Sequence, residues 1–178
     1  MKVICYGDSN TWGYDPRSWL GDRYDAGSRW VDILAGKTGW EICNRGLNGR
    51  SIPREAVTFP ADTDLLVVML GTNDLLEGAA PETAARRMEQ FLAGVNLTRD
   101  RLLLIAPPPL EPGAWVQEES LPAASARLAR LYRELAAAMD IRFADAGAWG
   151  VTLAYDGVHF TPEGHRAFAA GLYKEVFP

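Results

Sequence analysis

Three residues of this chain have the side chains needed for nucleophilic acyl transfer: a serine near the N-terminus, and an aspartate and a histidine near the C-terminus. Ser9 follows a short apolar run and stands in the turn Gly-Asp-Ser-Asn. A serine hydroxyl is a weak nucleophile unless a neighbouring base accepts its proton. His159 can be that base, and Asp156, three residues earlier, can hold one imidazole nitrogen while the other faces Ser9. The pattern predicts a Ser-His-Asp triad.

Acyl transfer also needs donors that stabilise a developing oxyanion, and the loss of one donor typically costs about 3–4 kcal/mol in the transition state. The candidates are the backbone N–H groups of Ser9 and Gly49 and the side-chain amide of Asn73. The alternative for Asn73 is an Asx-turn after a strand. Asp8 is predicted to secure its loop, because an imidazole is the better base at neutral pH. Asp74 is predicted to bind nearby turn backbone.

The remaining histidine and the two cysteines are given structural interpretations. His165, one turn into the last predicted helix, is expected at the surface or in an interface. Cys5 and Cys43 lie in apolar runs, which predicts two buried thiols in a reducing compartment. The histidines and cysteines lack the spacing of a zinc site, so no metal and no other cofactor is expected.

The elements that must position these residues follow an alternating rhythm. Short apolar runs alternate with helical patterns, which predicts an α/β fold with a mainly parallel sheet. Strands are predicted at residues 2–6, 40–44, 65–70, 102–106 and 142–143. Helices are predicted at residues 28–37, 53–59, 81–95, 121–139 and 162–176, with Ser28 and Thr161 as N-caps. No linker or repeat is visible, so residues 1–178 are predicted to form one domain.

Four polar, glycine-bearing turns follow predicted strands. In a doubly wound sheet, sites form outside the carboxyl ends of the strands. The turns after predicted strands one, two, three and five are residues 7–10, 46–49, 71–74 and 156–159. They should therefore share one edge of the sheet, and this convergence is the argument for an active site.

In combination and in order, these turns resemble the four blocks of the SGNH (GDSL-type) hydrolase family, over nearly the whole chain. The resemblance implies a flavodoxin-like three-layer α/β/α sandwich with a five-stranded parallel sheet. It implies Ser9 as the nucleophile and His159 as the base with Asp156 as its partner. It further implies Gly49 and Asn73 as oxyanion donors.

Two positions need comment. Asn10 stands where the family name has leucine, a position expected not to touch the assigned roles. Gly46 and Gly49 are both candidates for the second block, and the spacing of Gly49 from Asn44 matches the family's Asn-x-x-x-x-Gly pattern. Gly46 is then interpreted as the tight-turn glycine.

A longer stretch, residues 7–14, together with Arg29-Trp30 and residues 107–110, resembles the arylesterase and acyltransferase branch of the family. Members of that branch act on short acyl esters, often acetyl, and some transfer the acyl group to alcohols in water. They are commonly oligomeric. The resemblance therefore implies a serine esterase with a small ester substrate, and a homo-oligomer.

Several large apolar residues could line a small acyl or alcohol pocket: Trp12, Tyr14, Trp19, Leu110 and Trp115. The alternative is that the aromatic residues pack the long loops against the sheet. The pocket is favoured for Trp12, two residues beyond Asn10, whereas the two interpretations are equal for Trp19 and Trp115.

Two further functions remain open from the sequence. The first is a carbohydrate acetylesterase, since relatives with this small core remove acetyl groups from sugars. The second belongs to another class, a flavodoxin-like module that binds a nucleotide or phosphate at the same sheet edge. Against the second, the chain has no Gly-x-x-x-x-Gly-Lys-Ser/Thr loop and no Gly-x-Gly-x-x-Gly after its first strand.

Composition excludes several classes of partner. The formal net charge is −5 and the basic residues are dispersed, so a nucleic-acid partner is not expected. No apolar run approaches the roughly 18 residues of a membrane span. Gly7 and Asp8 interrupt the N-terminal apolar run, unlike a secretory signal, so a cytoplasmic location is expected.

Overall fold

A computed structural model of the protein describes residues 1–176 and contains a five-stranded parallel sheet. The strands lie in the order β2-β1-β3-β4-β5. Their bounds are β1 (Lys2–Gly7), β2 (Glu41–Gly46), β3 (Leu65–Met69), β4 (Leu102–Ala106) and β5 (Arg142–Asp145). The strand β3 is buried throughout, which its uninterrupted apolar sequence requires, since a central parallel strand is covered on both faces.

Helices cover both faces of this sheet. They are α1 (Ser9–Trp12), α2 (Trp30–Thr38), α3 (Thr72–Leu76), α4 (Pro81–Ala93), α5 (Ser120–Met139) and α6 (Pro162–Val176). One core layer contains Met88 of α4 and Tyr132 of α5. The opposite layer contains Trp30 of α2 and Phe168 of α6. The predicted α/β class and three-layer sandwich are confirmed.

The strand register brings the predicted turns to one edge. Gly7, at the end of β1, pairs with Gly46 at the end of β2 and with Met69 at the end of β3. Because all three strands are parallel and end at the same level, the turns that follow them are neighbours.

The helix predicted over residues 53–59 does not form, and the segment is irregular. Phe59 is buried, and its backbone N–H and C=O are both bound by the side-chain amide of Asn96, each at 2.8 Å. An amide that satisfies both groups makes a helical hydrogen-bonding pattern unnecessary at this end of the segment.

Helix boundaries differ from expectation at one predicted cap and agree at another. The helix α2 begins at Trp30, and Ser28 ends a short 3₁₀ segment, Ala26–Ser28, so Ser28 is not its N-cap. Thr161 does cap α6, because its hydroxyl accepts a hydrogen bond from the N–H of Gly164 at 3.0 Å.

The two cysteines have different environments, so the prediction of two buried thiols is wrong for Cys43. Cys5 is buried in β1, whereas Cys43 is exposed on β2. The reason is the strand order: β1 is central, while β2 lies at the edge of the sheet with one row of side chains open to solvent.

Among the described helices, none is long and apolar enough to cross a membrane.

Candidate active site

Ser9 lies at the junction of β1 and α1. The carboxylate of Asp8 accepts a hydrogen bond from the N–H of Asn10 at 3.0 Å and caps the short helix. Burial raises the pKa of Asp8 to about 6, although the Asn10 amide and the charge of His159 oppose the rise. Asp8 thus secures the turn, as predicted. As the first helical residue, Ser9 has a backbone N–H without an intrahelical acceptor.

The hydroxyl of Ser9 meets the loop that carries His159. The Nε2 atom of His159 lies 3.0 Å from Oγ of Ser9, and its Nδ1 atom lies 2.6 Å from Oδ2 of Asp156. All three side chains are buried, with at most 6% of each residue exposed. A serine, an imidazole and a carboxylate therefore form one continuous hydrogen-bonded chain.

Asp156 is held as a carboxylate. Burial alone would raise its pKa, but hydrogen bonds from the His159 side chain and from the backbone N–H groups of His159 and Val158 outweigh burial and lower the pKa of Asp156. The two backbone bonds, each 2.9 Å long, go to Oδ1, which leaves Oδ2 for the imidazole. The acid is therefore fixed in position and charged at neutral pH.

Two glycines let the loop before α5 approach the Asp156–His159 loop. A side chain at Gly157, whose φ is +79°, would collide with the carbonyl of Glu111, and one at Gly113 would collide with the backbone of Asp156. The N–H of Trp115 donates to the carbonyl of Asp156 at 3.1 Å. Close backbone packing therefore places Trp115 beside His159.

Gly49 and Asn73 border the same space from two other turns. Gly49 adopts φ +71°, and its amide donates to no acceptor within residues 1–176. The side-chain amide of Asn73 donates one hydrogen to the carbonyl of Arg50 at 3.0 Å and has a second hydrogen available. This geometry brings both predicted oxyanion donors to the pocket that contains Ser9.

Arg50 was not identified from the sequence. Its guanidinium donates to the carbonyl of Gly7 at 2.9 Å and to that of Arg45, and it lies 4.2 Å from the centre of the Tyr6 ring. Arg50 therefore ties the turn after β2 to the end of β1. Its position directly after Gly49 was the available signal.

The turn after β3 owes its shape to Gly71 and Asp74. Gly71 has φ +118°, and a side chain there would come within 2.6 Å of the Tyr132 hydroxyl. Asp74 accepts from the N–H of Ile52 at 2.9 Å and pairs with Arg87 at 2.8 Å. Asp74 thus binds turn backbone, as predicted, and it holds α3 with Asn73 at the site.

Gly46 has a different role from the one predicted. It is the last residue of β2 and has no positive φ; a side chain there would collide with the backbone of Trp12. Asn44 accepts from the N–H of Gly46 and donates to the carbonyl of Thr11, each at 2.8 Å. Gly46 therefore permits β2 to contact α1, rather than forming the tight turn.

A pocket of about 180 Å³ opens above Ser9 and His159. Its lining is Ser9, Tyr14, Asn48, Gly49, Asn73, Trp115, Val158 and His159. The rings of Tyr14 and Trp115 lie 4.6 Å and 5.0 Å from the imidazole of His159, measured between centroids. Two of the predicted pocket residues, Tyr14 and Trp115, are therefore part of its wall.

The other predicted pocket residues lie elsewhere. Trp12 packs under the guanidinium of Arg23, 5.0 Å from the ring centre. Leu110 is buried in a small cluster with Val116 and Val158, behind the pocket lining rather than part of it. Trp19 is fully exposed. The long loop before α5 and the loop after α1 therefore turn Trp12 and Leu110 into other contacts and leave Trp19 in solvent.

His165 is not at the surface, so that expectation is wrong. It is fully buried, and its Nδ1 accepts a 3.4 Å hydrogen bond from the N–H of Trp30. Burial lowers the pKa of His165 to about 3, and repulsion from Arg29 and His159 makes a smaller contribution in the same direction. The helix α6 turns this face toward α2 and the sheet, which a position in the sequence does not reveal.

Within residues 1–176, no three His, Cys, Asp or Glu side chains form a group suited to a metal ion.

Comparison with known proteins identifies the family. The model of the GDSL-like lipase/acylhydrolase family matches residues 5–167. The chain belongs to this family. Membership places it among the carboxylic ester hydrolases of the SGNH type.

Solved structures agree with this assignment. The native aryl esterase of M. smegmatis is 29% identical, with a TM-score of 0.82 over 98% of this chain and 97% of that one. A carbohydrate acetylesterase family member from Sinorhizobium meliloti is 31% identical, with a TM-score of 0.81 over 99% and 97% of the two chains. A Bos taurus isoamyl acetate-hydrolyzing esterase 1 homolog is 28% identical over 137 residues, which are 66% of this chain and 51% of that protein. The chain thus spans about half the length of this curated relative.

Proposed function

We propose that the protein hydrolyses short-chain acyl esters, acetyl esters in particular, through an acyl-enzyme formed on Ser9. The observation that carries the proposal is the continuous contact from the Ser9 hydroxyl through the His159 imidazole to the Asp156 carboxylate, 3.0 Å and 2.6 Å long. A serine so placed beside a base with its own orienting acid is the arrangement that acyl transfer requires.

The chemistry proceeds in two halves. Oγ of Ser9 attacks the ester carbonyl carbon while Nε2 of His159 accepts the hydroxyl proton, and the tetrahedral intermediate forms. The imidazolium, stabilised by Asp156, then gives that proton to the departing alcohol oxygen, and the C–O bond breaks. Water attacks the acyl-serine by the same route in reverse, releasing the carboxylic acid and restoring Ser9.

The oxyanion of each intermediate would be bound by three donors. These are the backbone N–H of Ser9, the N–H of Gly49 and the second side-chain hydrogen of Asn73. Support comes from the pocket, which all three residues line, and from the absence of an acceptor for the Gly49 amide within residues 1–176. Preorganised donors of this kind are often the largest single contribution to catalysis.

The size and character of the pocket favour a small substrate. Its volume of about 180 Å³ is well below the roughly 300–1,000 Å³ of sites that enclose drug-sized ligands. Two aromatic walls, Tyr14 and Trp115, suit an apolar acyl or alcohol group. An acetyl group fits such a site, and the likeness to the M. smegmatis aryl esterase and to the isoamyl acetate-hydrolyzing esterase homolog is consistent with small esters.

A second candidate is the removal of acetyl groups from sugars, which the likeness to the S. meliloti carbohydrate acetylesterase family member favours. The two functions share the acetyl-transfer chemistry and differ in the alcohol that leaves. Rates of acetate release from an acetylated sugar and from an aryl acetate, compared at equal concentration, separate them.

The same pocket suggests transfer of the acyl group to alcohols. The rings of Tyr14 and Trp115 beside His159 provide an apolar wall on which an alcohol can compete with water for the acyl-enzyme. Added 1-butanol should then yield butyl acetate, detectable by gas chromatography, in place of part of the acetate.

Self-association forms a further part of the proposal. Trp19 and Leu20 are 100% and 88% exposed and adjacent on one loop, an apolar surface that a second copy of the chain would cover. A homo-oligomer should appear in light scattering of the purified protein, and a monomer at all concentrations would contradict this part.

The decisive test of the mechanism uses Ser9→Ala. Hydrolysis of p-nitrophenyl acetate should fall by a factor on the order of 10⁴ or more, and labelling by a fluorophosphonate should disappear. Wild-type hydrolysis in a folded Ser9→Ala protein would rule the mechanism out. A series of p-nitrophenyl esters of rising chain length tests the substrate class, where rates that climb toward long chains would contradict it.

A further inference from the structure

Asn10 joins the nucleophile turn to the loop that carries the base. Its side-chain Nδ2 donates to the carbonyl of Val158 at 3.0 Å, and its Oδ1 accepts from the N–H of Phe160 at 2.9 Å. Val158 and Phe160 are the residues on either side of His159. One amide therefore binds the peptide groups that flank His159, although position 10 was expected not to touch the assigned roles.

Asn10 is itself rigidly held. It is 4% exposed, its backbone N–H donates to Asp8, and its carbonyl accepts from the indole N–H of Trp30 at 3.0 Å. Because both backbone groups and both side-chain polar atoms are engaged, the amide has one orientation in which all of its partners are satisfied. The Asn10 amide therefore links the position of α1 to the position of the His159 loop.

The distance between Oγ of Ser9 and Nε2 of His159 joins two residues that are 150 positions apart in the chain. We infer that Asn10 is a positioning residue, which sets the separation of the Ser9 hydroxyl and the His159 imidazole by binding the backbone on both sides of His159. The inference rests on the proposed function, since it concerns how the proposed nucleophile and base are brought together. Asn10 itself contacts neither reacting atom in this structure.

Leucine makes the cleanest comparison at this position. It has the branched skeleton of asparagine, with two methyl groups in place of the amide oxygen and nitrogen, so Asn10→Leu would leave the Val158 carbonyl and the Phe160 N–H without these partners. Because a buried polar group without a partner is costly, we expect the backbone beside His159 to shift toward other partners in this variant. A shift of about 1 Å in a catalytic group can reduce the rate by about 100-fold.

The first experiment measures kcat and KM for p-nitrophenyl acetate in Asn10→Leu. We expect kcat to fall by about 10- to 100-fold while KM changes by less than about threefold, because the misplaced base affects the chemical step. The rate of fluorophosphonate labelling should fall in parallel. A folded Asn10→Leu protein with kcat within about twofold of wild type would overturn the inference.

A control comes from the neighbouring residue. Thr11 is 1% exposed on the same helix, and its hydroxyl has no partner among the described residues. Thr11→Val removes a buried hydroxyl from this turn without touching the His159 loop, and its kcat should match that of wild type. A kcat loss in Thr11→Val equal to that in Asn10→Leu would show general sensitivity of the turn and overturn the inference.

A second variant, Asn10→Asp, keeps the shape and does not depend on Asn10→Leu folding. A neutral carboxylic acid at position 10 donates its O–H to Val158 and accepts from Phe160, whereas the ionised form cannot donate. The ratio of variant to wild-type kcat should therefore rise by about tenfold between about pH 9 and about pH 5. A ratio that does not change with pH would overturn the inference.

Other titratable groups surround position 10, and wild type and Asn10→Asp both carry them. They are Asp8 on the same turn, Arg50 beside Asp8, Asp156 and His159 in the bound loop, and His165, whose ring contacts Phe160. Taking the ratio cancels their titration to first order. The failure of this inference is also distinct from the failure of the proposed function: inactive Ser9→Ala with fully active Asn10→Leu rejects only the positioning role, whereas active Ser9→Ala rejects the triad.

Discussion

The Nδ1 atom of His159 lies 2.6 Å from Oδ2 of Asp156, while Oδ1 of the same carboxylate is occupied by the backbone N–H groups of Val158 and His159. The carboxylate therefore serves two purposes with its two oxygens. One oxygen shapes the loop, and the other contacts Nδ1 and orients the imidazole so that Nε2 faces Ser9.

This division of labour makes Asp156→Asn informative. The amide oxygen can still accept from the loop backbone, so the fold should survive, but the amide N–H₂ would face Nδ1 and favour the wrong imidazole tautomer. We expect kcat for p-nitrophenyl acetate to fall by about 10⁴ at neutral pH.

The control is Asp145→Asn, at the end of β5. Asp145 caps Gly147 and pairs with the exposed Arg133 at 3.4 Å, away from the site residues, so activity should be unchanged. A loss of less than about tenfold in Asp156→Asn would mean that the acid does not orient the base.

Asn73 should contribute through its free amide hydrogen. Replacement by alanine removes an oxyanion donor, and we expect kcat to fall by about 10²–10³ with a small change in KM. We expect the kcat of Asn73→Asp to fall further than that of Asn73→Ala, because a carboxylate at this position repels the oxyanion. Steady-state kinetics of both variants, with melting curves to confirm folding, test this; equal activity of Asn73→Ala and wild type would remove Asn73 from the proposed oxyanion hole.

Trp115 should limit the size of the ester. It is 54% exposed, yet it borders the pocket and contacts the His159 ring edge-on. Trp115→Ala should raise kcat/KM for p-nitrophenyl butyrate relative to acetate by about tenfold, as one wall is removed. Trp19→Ala, the change of a fully exposed tryptophan outside the pocket, should leave this ratio as in wild type. Identical ratios in both variants would exclude Trp115 from substrate selection.

His165 should make the fold sensitive to acid. Its pKa is lowered from 6.5 to about 3, so between these values the unfolded chain binds a proton that the folded chain does not. The stability that depends on neutral His165 is therefore complete above about pH 6.5 and is lost as pH falls toward 3, with a magnitude on the order of 5 kcal/mol over the whole range.

Urea unfolding of wild type and His165→Asn measures this directly. Asparagine can still accept from the N–H of Trp30 but does not titrate. The free energy of unfolding of wild type should fall more steeply than that of the variant as pH is lowered from about 7 to about 4. Parallel pH profiles would mean that His165 does not cause the acid sensitivity.

Sequence alone identified the residues at the ends of the strands. Ser9, Gly49, Asn73, Asp156 and His159 each lie just beyond an apolar run or in a glycine-bearing turn, and parallel strands bring such turns to one edge. The α/β class and a mainly parallel sheet follow from the alternation of apolar runs and helical patterns, whereas the five-stranded sandwich was implied by the family resemblance. The fold prediction is confirmed because local apolar periodicity marks the strands and helices, and helices between successive strands require parallel pairing.

Contacts between distant segments were beyond sequence reasoning. The burial of His165, the exposure of Cys43 and the separation of Trp12 and Leu110 from the pocket depend on which face of an element meets its neighbour. The segment over residues 53–59 is irregular because the amide of Asn96, far along the chain, satisfies the backbone of Phe59. Local propensity has no information about such a partner.

The sequence by itself determined which groups this protein can use for chemistry: a serine in a tight turn, a histidine with an aspartate three residues before it, and donors in two other turns. Only the tertiary structure decided how they are held together. The 3.0 Å contact of Ser9 and His159, and the Asn10 amide that binds the backbone on both sides of His159, join segments 150 residues apart. Their geometry is set by the packing of the loops against the sheet edge, which no short stretch of sequence specifies.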